Sequence, residues 1–495
     1  MMAIDSANDQ PPNEQLRTDA LRIWRAGVDA VRAERLIAEW VEVDSQSLRI
    51  GDERIAFDQI DRVCVVGAGK ASGAMAAAIE SALGPEIADR KRLHGWVNVP
   101  ADCVPPDRTT TPLGRIVLHA GRPPGVNEPT PEGAAGAERI LELAAALGPR
   151  DLCVAVITGG GSALLPAPAP GITLADKLEV TRYLSGAGAN IVQLNTVRKH
   201  LSRIKGGKLA RACNAGRMIV LVISDVPGDP LDVIASGPTV PDRTTADDAL
   251  AVLDAFAARE AGLPPRVFDF LEAMALEQRR GAREAAARDS APAASDRAGD
   301  NDEACSYDWT TPAGCRVTHL IVANNARAVD AAGAEAERLG YQHAMISSTS
   351  PEGAAEEVGR HLAQMALRMR SQPGTNCLIS GGEPVVSLAD RAIRGLGGRN
   401  QQAALAAVET LWTDGATRIV VLSGGTDGED GPTDAAGAVC DAAVLARAKQ
   451  LQLDPRDYPH RSDAYTFFRL TEALIRTGPT YTNVCDLRVV LVARQ

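Results

Sequence analysis

The residues of this chain whose types could do chemistry stand in glycine-rich loops that follow short apolar runs. Ile419–Leu422 gives way to Ser423, Gly424 and Gly425, and then to the carboxylates Asp427, Glu429, Asp430 and Asp434. The run at 62–66 passes into Gly67, Ala68, Gly69 and Lys70, and Leu152–Ile157 ends in Thr158, Gly159, Gly160, Gly161 and Ser162. Met218–Ile223 leads to Asp225 and Asp229, with Ala235, Ser236 and Gly237 soon after. Further on stand Glu383, behind Gly381 and Gly382, and the pair Arg399 and Asn400, behind Gly397 and Gly398. Glycine permits positive φ and close backbone approach, and a strand, a glycine turn and a helix N-terminus together make an anion pocket. The loops supply five carboxylates (Asp225, Asp229, Glu383, Asp427, Asp430) and two conspicuous cations, Lys70 and Arg399. Carboxylates beside phosphate-cradling glycines point to Mg2+ with a nucleotide. Phosphoryl transfer is mostly positioning and charge neutralisation, so these are the parts it needs.

Familiar motifs fail at defined positions. A P-loop needs glycine six residues before Lys70, where Cys64 stands, and a dinucleotide fingerprint needs Gly or Ala where Ser72 stands. A calcium loop counted from Asp427 has Gly431 at its fifth position and Ala438 at its twelfth. Neither the cysteines nor the histidines have metal-ligand spacing, and no Ser-His-Asp or Cys-His set declares itself. Each loop also has an ordinary reading: a solvated acidic turn at 427–434, and a tight βα connection at 67–70. The segment 188–210 is a positive patch in an acidic chain. A solvated helix face explains most of it, and Asn195 and Lys205 are its candidate ligand contacts.

The net charge of −11 argues against a nucleic-acid partner, which wants clustered Lys and Arg, but leaves room for a small anion in a local positive pocket. No apolar run reaches the ~18 residues of a membrane span, and the polar, acidic start has no secretory h-region. Scattered cysteines, odd in number, read as thiols of a reducing cytoplasm.

Strands alternating with helices predict an α/β fold: two doubly wound, mostly parallel-sheet, Rossmann-like domains with an interdomain cleft. The expected organisation is a disordered tail over 1–14, an N-terminal domain over 15–245, a flexible linker or insertion over 277–311, and a C-terminal domain over 313–495. In the first helix, Leu21, Trp24, Val28 and Val31 are expected to share one face.

The loops also resemble, in order and through nearly the whole chain, those of the class II glycerate kinase family with its C-terminal MOFRL domain. The matching pieces are VVGAGKASGAM at 65–75, ITGGGSALLPAPAPGITLADK at 157–177, NTVRKHLSRIKGGKLA at 195–210, VISDVPGDPLDVIASGPTVPD at 222–242, SGGEPVV at 380–386, GGRNQQAAL at 397–405 and LSGGTDGEDGPTDAAGAVCD at 422–441. The resemblance implies ATP-dependent phosphorylation of D-glycerate, on the 2-hydroxyl, with Mg2+ or a similar metal and an active site between two α/β domains. It places catalysis on Lys70 and Arg399. Lys70 is expected to bind the carboxylate or the transferring phosphoryl group, and Arg399 to neutralise phosphate charge in the transition state. Asp225 or Asp427 would hold the metal or take the proton of the attacking hydroxyl. Self-association stays open. Near the end, Tyr481 stands where the family usually has glycine and Cys485 where it has a polar residue, and the 277–311 segment looks inserted. Competing functions are an NAD(P)H-dependent hydroxypyruvate reductase and a non-catalytic hydroxy-acid sensor.

Overall fold

Runs such as VCVVGA, LCVAVI and RMIVLVI have no polar face, so they can only be strands covered on both sides. In the computed structural model, which describes residues 12–104, 115–288 and 306–493, all three are buried strands of one sheet. The chain divides into two compact units. The N-terminal unit holds Ile37–Ile223 and Pro230–Val322; the C-terminal unit holds the described residues up to Leu36, Ser224–Asp229 and Ala323 onward.

The N-terminal unit is built on a seven-stranded sheet in the order Ile116–Arg122, His94–Pro100, Val63–Ala68, Leu152–Ile157, Arg217–Ile223, Arg316–Ala323, Ser306–Thr310. The pairings among its first five strands are all parallel, and Ser306–Thr310 closes the edge antiparallel. A small antiparallel sheet (Val41–Val43, Ser47–Ile50, Glu53–Ala56) precedes it. Parallel strands need helical crossovers, and these leave each strand-to-helix loop at the C-terminal edge of the sheet.

The C-terminal unit has a six-stranded sheet in the order His343–Ser347, Cys377–Gly382, Asp486–Val492, Ile419–Gly425, Gly437–Asp441, Leu474–Ile475. The two-unit α/β class stands, but this sheet is mixed. Asp486–Val492 runs antiparallel to both neighbours, and Gly437–Asp441 is likewise reversed, so four of the six strands share one direction. Gly437–Asp441 can reverse because it returns directly from the 426–436 loop without a helical crossover.

The boundaries differ from the sequence expectation in three places. Helix Pro12–Ala30 belongs to the C-terminal unit, because Leu16, Ala20, Ile23, Trp24 and Val28 bury against Val420, Leu422, Leu487 and Leu491. Trp24 Nε1 also donates to the Gly424 carbonyl at 3.2 Å. The expected tail therefore ends by residue 12, and its first eleven residues lie outside the described ones. The N-terminal unit extends to 322 rather than 245, since Arg316–Ala323 is hydrogen-bonded beside Arg217–Ile223. Of the expected linker, 277–288 continues helix Pro265–Arg288 and 306–310 is a strand; 289–305 lies outside the described residues. No helix among the described residues is long and apolar enough to cross a membrane.

Helix Arg399–Leu411 is held by helix Ala355–Ser371, with Leu362, Ala363 and Ala366 packed on Ala404, Leu405 and Val408. At Gly359 the two backbones come so close that a Cβ would overlap the Ala403 carbonyl oxygen. In an open helix Gly→Ala gains about 0.5–1 kcal/mol. Here Gly359→Ala is expected to lose about 1–3 kcal/mol through overpacking. That appears as a drop of several degrees in Tm by circular dichroism; a Tm at or above wild type would contradict this close packing.

Candidate active site

The C-terminal ends of the strands carry the residues the sequence singles out, and they gather into one group in each unit. In the C-terminal unit the group is built on the start of helix Arg399–Leu411. An arginine in the first turn opposes the helix dipole, and the fold compensates with carboxylates. Asp430 accepts from the backbone N–H of Asn400 at 3.0 Å and of Gln401 at 2.8 Å. Gly398 makes this possible, because a Cβ there would overlap Asp430. Asp486, fully buried, accepts from Arg399 Nε at 2.8 Å and from Asn400 Nδ2 at 2.8 Å. Arg399 Nη1 donates to Glu383 at 2.7 Å. Asn400 is held at its other end by the Ser423 hydroxyl, which donates to its Oδ1 at 2.6 Å. Arg399 is thus clamped on two sides, with about a third of its side chain exposed (32%).

Burial raises the pKa of Glu383, and Asp486 and Asp427 add to the rise against the pull of Arg399. Burial alone would lower the pKa of Arg399, but Asp486 and Glu383 outweigh it and hold the guanidinium firmly charged. Burial pushes Asp430 up to about 7 despite its two backbone donors, and the Asp486 charge adds to the rise. Asp225 lies at the same edge: Asn483 Nδ2 donates to its carboxylate at 3.1 Å and Cys485 Sγ to its carbonyl at 2.8 Å. Burial raises the Cys485 thiol, with the charges of Glu383, Asp225 and Asp486 adding to it. Glu383, Asp225, Asp427 and Asp486 therefore act on shared neighbours, Arg399 and Cys485 among them.

Beside this group is a cavity of about 260 Å³ lined by Asp229, Asn324, Asn325, Ser347, Thr349 and Gly382. Helix Asn325–Arg338 begins there, capped by Asn324, whose side chain accepts from Arg327 N and donates to Asp229 at 2.6 Å. Asp229 itself has φ 54°, in the left-handed region. Among the described residues no three His, Cys, Asp or Glu side chains converge as a ready metal cage.

In the N-terminal unit the Lys70 turn is tied to the loop at 158–162. Lys70 N donates to the Gly159 carbonyl at 3.0 Å and Ala71 N to Thr158 Oγ1 at 3.1 Å. The anion pocket expected from open N–H groups at this turn is corrected accordingly: the neighbouring loop already takes those donors. Helix Ser72–Arg90 starts two residues after Lys70, which precedes the first turn rather than sitting in it. Gly67 and Gly69 have a packing reason, since a Cβ on either would overlap the Val156 carbonyl or Thr158. Gly69 also has φ 143°. Gly161 fits between Ala68 and Ala235. Gly160 is left-handed at φ 77°, and Ser162 follows in the short helix Gly161–Leu164. Lys205 Nζ lies 2.9 Å from Ser162 Oγ, which lies 2.9 Å from Ser236 Oγ, and Ser236 donates to Asn195 Oδ1; Gly237 follows Ser236 with φ 57°.

Sequence reasoning missed Asp486, Asn324, Asn325 and Ser347 as site residues. Asp486 carried a signal, as a carboxylate opening the apolar strand Asp486–Val492; the others carried none beyond their position after a strand. None of the eight described cysteines is in a disulfide.

The chain matches the family described as "Domain of unknown function (DUF4147)" over residues 19–272 and the MOFRL family over residues 376–486. It is 32% identical to the glycerate kinase of Danio rerio over 96% of this chain and 98% of that one. It is 31% identical to the D-glycerate 2-kinase of Thermotoga maritima over 97% and 99%. An Agrobacterium vitis relative, 38% identical over 87% and 99%, is named provisionally a hydroxypyruvate reductase. Among solved structures, the Thermotoga maritima glycerate kinase superposes with a TM-score of 0.74 at 30% identity, covering 97% of this chain and all of that one. With a DUF4147 region and a MOFRL region present in order and relatives aligned over nearly their full length, the chain belongs to the glycerate kinase family.

Proposed function

We propose that this protein transfers the γ-phosphoryl group of ATP to the 2-hydroxyl of D-glycerate, giving 2-phosphoglycerate. The observation that carries the reading is Arg399, a partly exposed guanidinium fixed by Asp486 and Glu383 at the ends of the strands. A partly exposed arginine held by two carboxylates is suited to the charge of a transferring phosphoryl group. Names of the relatives support glycerate as the acceptor. The cavity at the start of helix Asn325–Arg338 suits nucleotide phosphates, since a helix N-terminus and adjoining hydroxyls favour anions.

The carboxylates gathered near Arg399 suit a divalent cation. Mg2+ commonly takes one or two carboxylates, with phosphate oxygens and water completing its shell. Asp225 and Asp427 would hold it, and when bound it neutralises phosphate charge. Lys70, half-buried at the end of its strand, contacts the glycerate carboxylate or the phosphoryl group. The hydroxypyruvate reductase reading has less support: Ser72 breaks the dinucleotide fingerprint, and the Lys70 and Ala71 N–H groups are already bonded within the protein.

Phosphorus NMR of the product from D-glycerate, ATP and Mg2+ tests the reaction and its position together. The expected signal is 2-phosphoglycerate. A 3-phosphoglycerate signal would overturn the regiochemistry, and NADH oxidation with hydroxypyruvate in place of any phosphorylated product would overturn the kinase. Arg399→Lys keeps the charge but loses the fork, and Lys70→Ala removes the amine. Each is expected to lower kcat by about 100-fold or more with the fold retained; near-wild-type turnover in either removes that residue from the mechanism.

Asp430 sets where Arg399 sits, and its titration is linked to stability. Its folded value is about 7, against an unfolded value of about 3.9. The folded state therefore binds the proton more tightly. This contribution is fully present below about pH 4 and is lost as pH rises through about 7. Asp430→Asn is expected to flatten that part of the profile in urea unfolding from pH 4 to 8. A variant profile parallel to wild type would mean that Asp430 titrates in the ordinary carboxylate range.

A further inference from the structure

The cavity at the start of helix Asn325–Arg338 lies wholly within the C-terminal unit, and one carboxylate lines it. Its volume of about 260 Å³ is far beyond the ~10–15 Å³ that holds a single water. It is just under the ~300–1,000 Å³ of sites that enclose a small ligand, so it has room for part of a nucleotide. The carboxylate is Asp229, and among the described residues no Lys, Arg or His lines the cavity.

Asp229 is placed there by its neighbours. Gly228 and Asp229 turn the chain with φ 79° and 54°. Asp enters this left-handed region more readily than most residues. The turn is pressed against the 347–349 segment, since a Cβ on Gly228 would stand 3.0 Å from the Thr349 carbonyl oxygen. Asn324 fixes the carboxylate. Its Oδ1 accepts from Arg327 N at 3.1 Å, which leaves its Nδ2 to donate to Asp229 Oδ2 at 2.6 Å. That bond takes one carboxylate oxygen. Asp229 Oδ1 makes no hydrogen bond to another described residue.

Counting hydrogens shows what Oδ1 can meet. An ionised carboxylate only accepts. The Ser347 hydroxyl gives its hydrogen to Asn325 Oδ1 at 2.8 Å, and the Ser348 hydroxyl gives its own to the Ser350 carbonyl at 2.6 Å. The Asn325 amide gives both hydrogens to the Val484 and Asp486 carbonyls, at 2.8 and 3.0 Å. Asp229, Ser347 and Ser348 are therefore left with lone pairs to offer. Donors remain on Thr349 and on the first N–H groups of the helix, and these suit phosphate oxygens.

The group beside Asp229 must be of the opposite kind, uncharged and carrying hydrogens to donate. A phosphate there would meet a like charge. A divalent cation would find one open carboxylate oxygen and no second carboxylate in the lining. The sugar of a nucleotide meets the requirement. It is neutral, its two hydroxyls donate, and a single carbon joins it to the phosphates. The amino group of adenine also donates, but it stands at the far end of the nucleoside from them. In dinucleotide-binding sheets an acidic side chain takes the ribose hydroxyl for the same reason.

We propose that Asp229 Oδ1 accepts hydrogen bonds from the ribose hydroxyls of the nucleotide, so that the cavity selects ribonucleotides over deoxyribonucleotides. The inference rests on the kinase reading above, which supplies the nucleotide. Asp229 holds the sugar while the phosphates reach the helix start. Asn324 is a positioning residue: it fixes one carboxylate oxygen and leaves the other for the sugar.

The test is calorimetric binding of ADP, 2′-deoxy-ADP and 3′-deoxy-ADP to the full-length protein with Mg2+, beside kcat/KM for the three triphosphates with D-glycerate. Wild type is expected to favour ADP over at least one deoxy form by about 10- to 100-fold, as a hydrogen bond to a charged group does. Asp229→Asn suits the left-handed turn and keeps an acceptor for Asn324, but it presents an amide N–H2 to the cavity. It is expected to bring ADP down to the level of the deoxy form and leave the deoxy form within about threefold of wild type. KM for D-glycerate is expected to stay within about threefold. Equal binding of all three nucleotides by wild type overturns the proposal. So does an Asp229→Asn variant that keeps the preference, or that weakens ribose and deoxyribose forms alike. Each of these leaves the kinase reading intact. Preference for ribose without any phosphorylated product supports the sugar site and overturns the kinase reading. Absence of nucleotide binding overturns both.

Discussion

The buried carboxylate of Asp486 is the constraint around which the C-terminal unit is arranged. It opens strand Asp486–Val492, in the middle of the six-stranded sheet, where it faces Gly382 on one side and Gly425 on the other. A fully buried charge is tolerated only when paired and hydrogen-bonded. Its partners are Arg399 and Asn400, the first two residues of a helix whose remaining length is anchored by apolar packing. The same strand carries Arg488, 1% exposed, which is held by Glu352 at 2.9 and 2.6 Å. Removing one member of such a pair typically costs about 3–5 kcal/mol, so these pairings favour a single register of the central strand. The central strand is also the last in the chain.

The N-terminal unit solves a different problem with the same kind of loop. Its parallel strands bring several glycine turns to one edge, where the Lys70 turn and the 158–162 loop bond to one another. Lys70 stands just past the end of one strand, and Lys205, Ser162, Ser236 and Asn195 are joined by hydrogen bonds. Cations of the positive patch at 188–210 have structural partners: Lys208 donates to the Lys199 carbonyl and Lys199 pairs with Asp232 and Asp242, while Lys177, outside the patch, donates to the Leu201 carbonyl. Burying these cations moves Lys177 down to about 7 and Lys208 to about 8, with burial the leading cause.

The departures near the chain end fall on unusual backbone. Tyr481 has φ 56° and Cys485 φ 68°, both in the left-handed region where a side chain is strained. A glycine at 481 would sit there without strain, which gives the usual family residue a physical reason. Tyr481 is instead held largely open, at 41% exposure, while Thr480 and Thr482 on either side are buried and donate to the Thr426 and Val31 carbonyls. The loop keeps its path because its threonines are bonded, and the tyrosine follows.

Much of this protein is legible along the chain, because its signals are local. An apolar, β-branched run must be a buried strand, a glycine-rich segment after it must be a loop at the strand end, and a lone Lys70 or Arg399 in such a loop stands out by charge. The order of the loops sufficed to indicate the family. Long-range pairing decided the rest. Nothing in Asp486–Val492 announces that it runs antiparallel between two strands, and no local pattern assigns helix Pro12–Ala30 to the far half of the chain. The turn at Gly67–Lys70 reads as an anion pocket until the Gly159 carbonyl and the Thr158 hydroxyl are seen to occupy its donors. Asp486, Asn195 and Ser236 acquire meaning only from their partners, because a hydrogen bond depends on ångström-scale approach between residues that sequence separation does not encode.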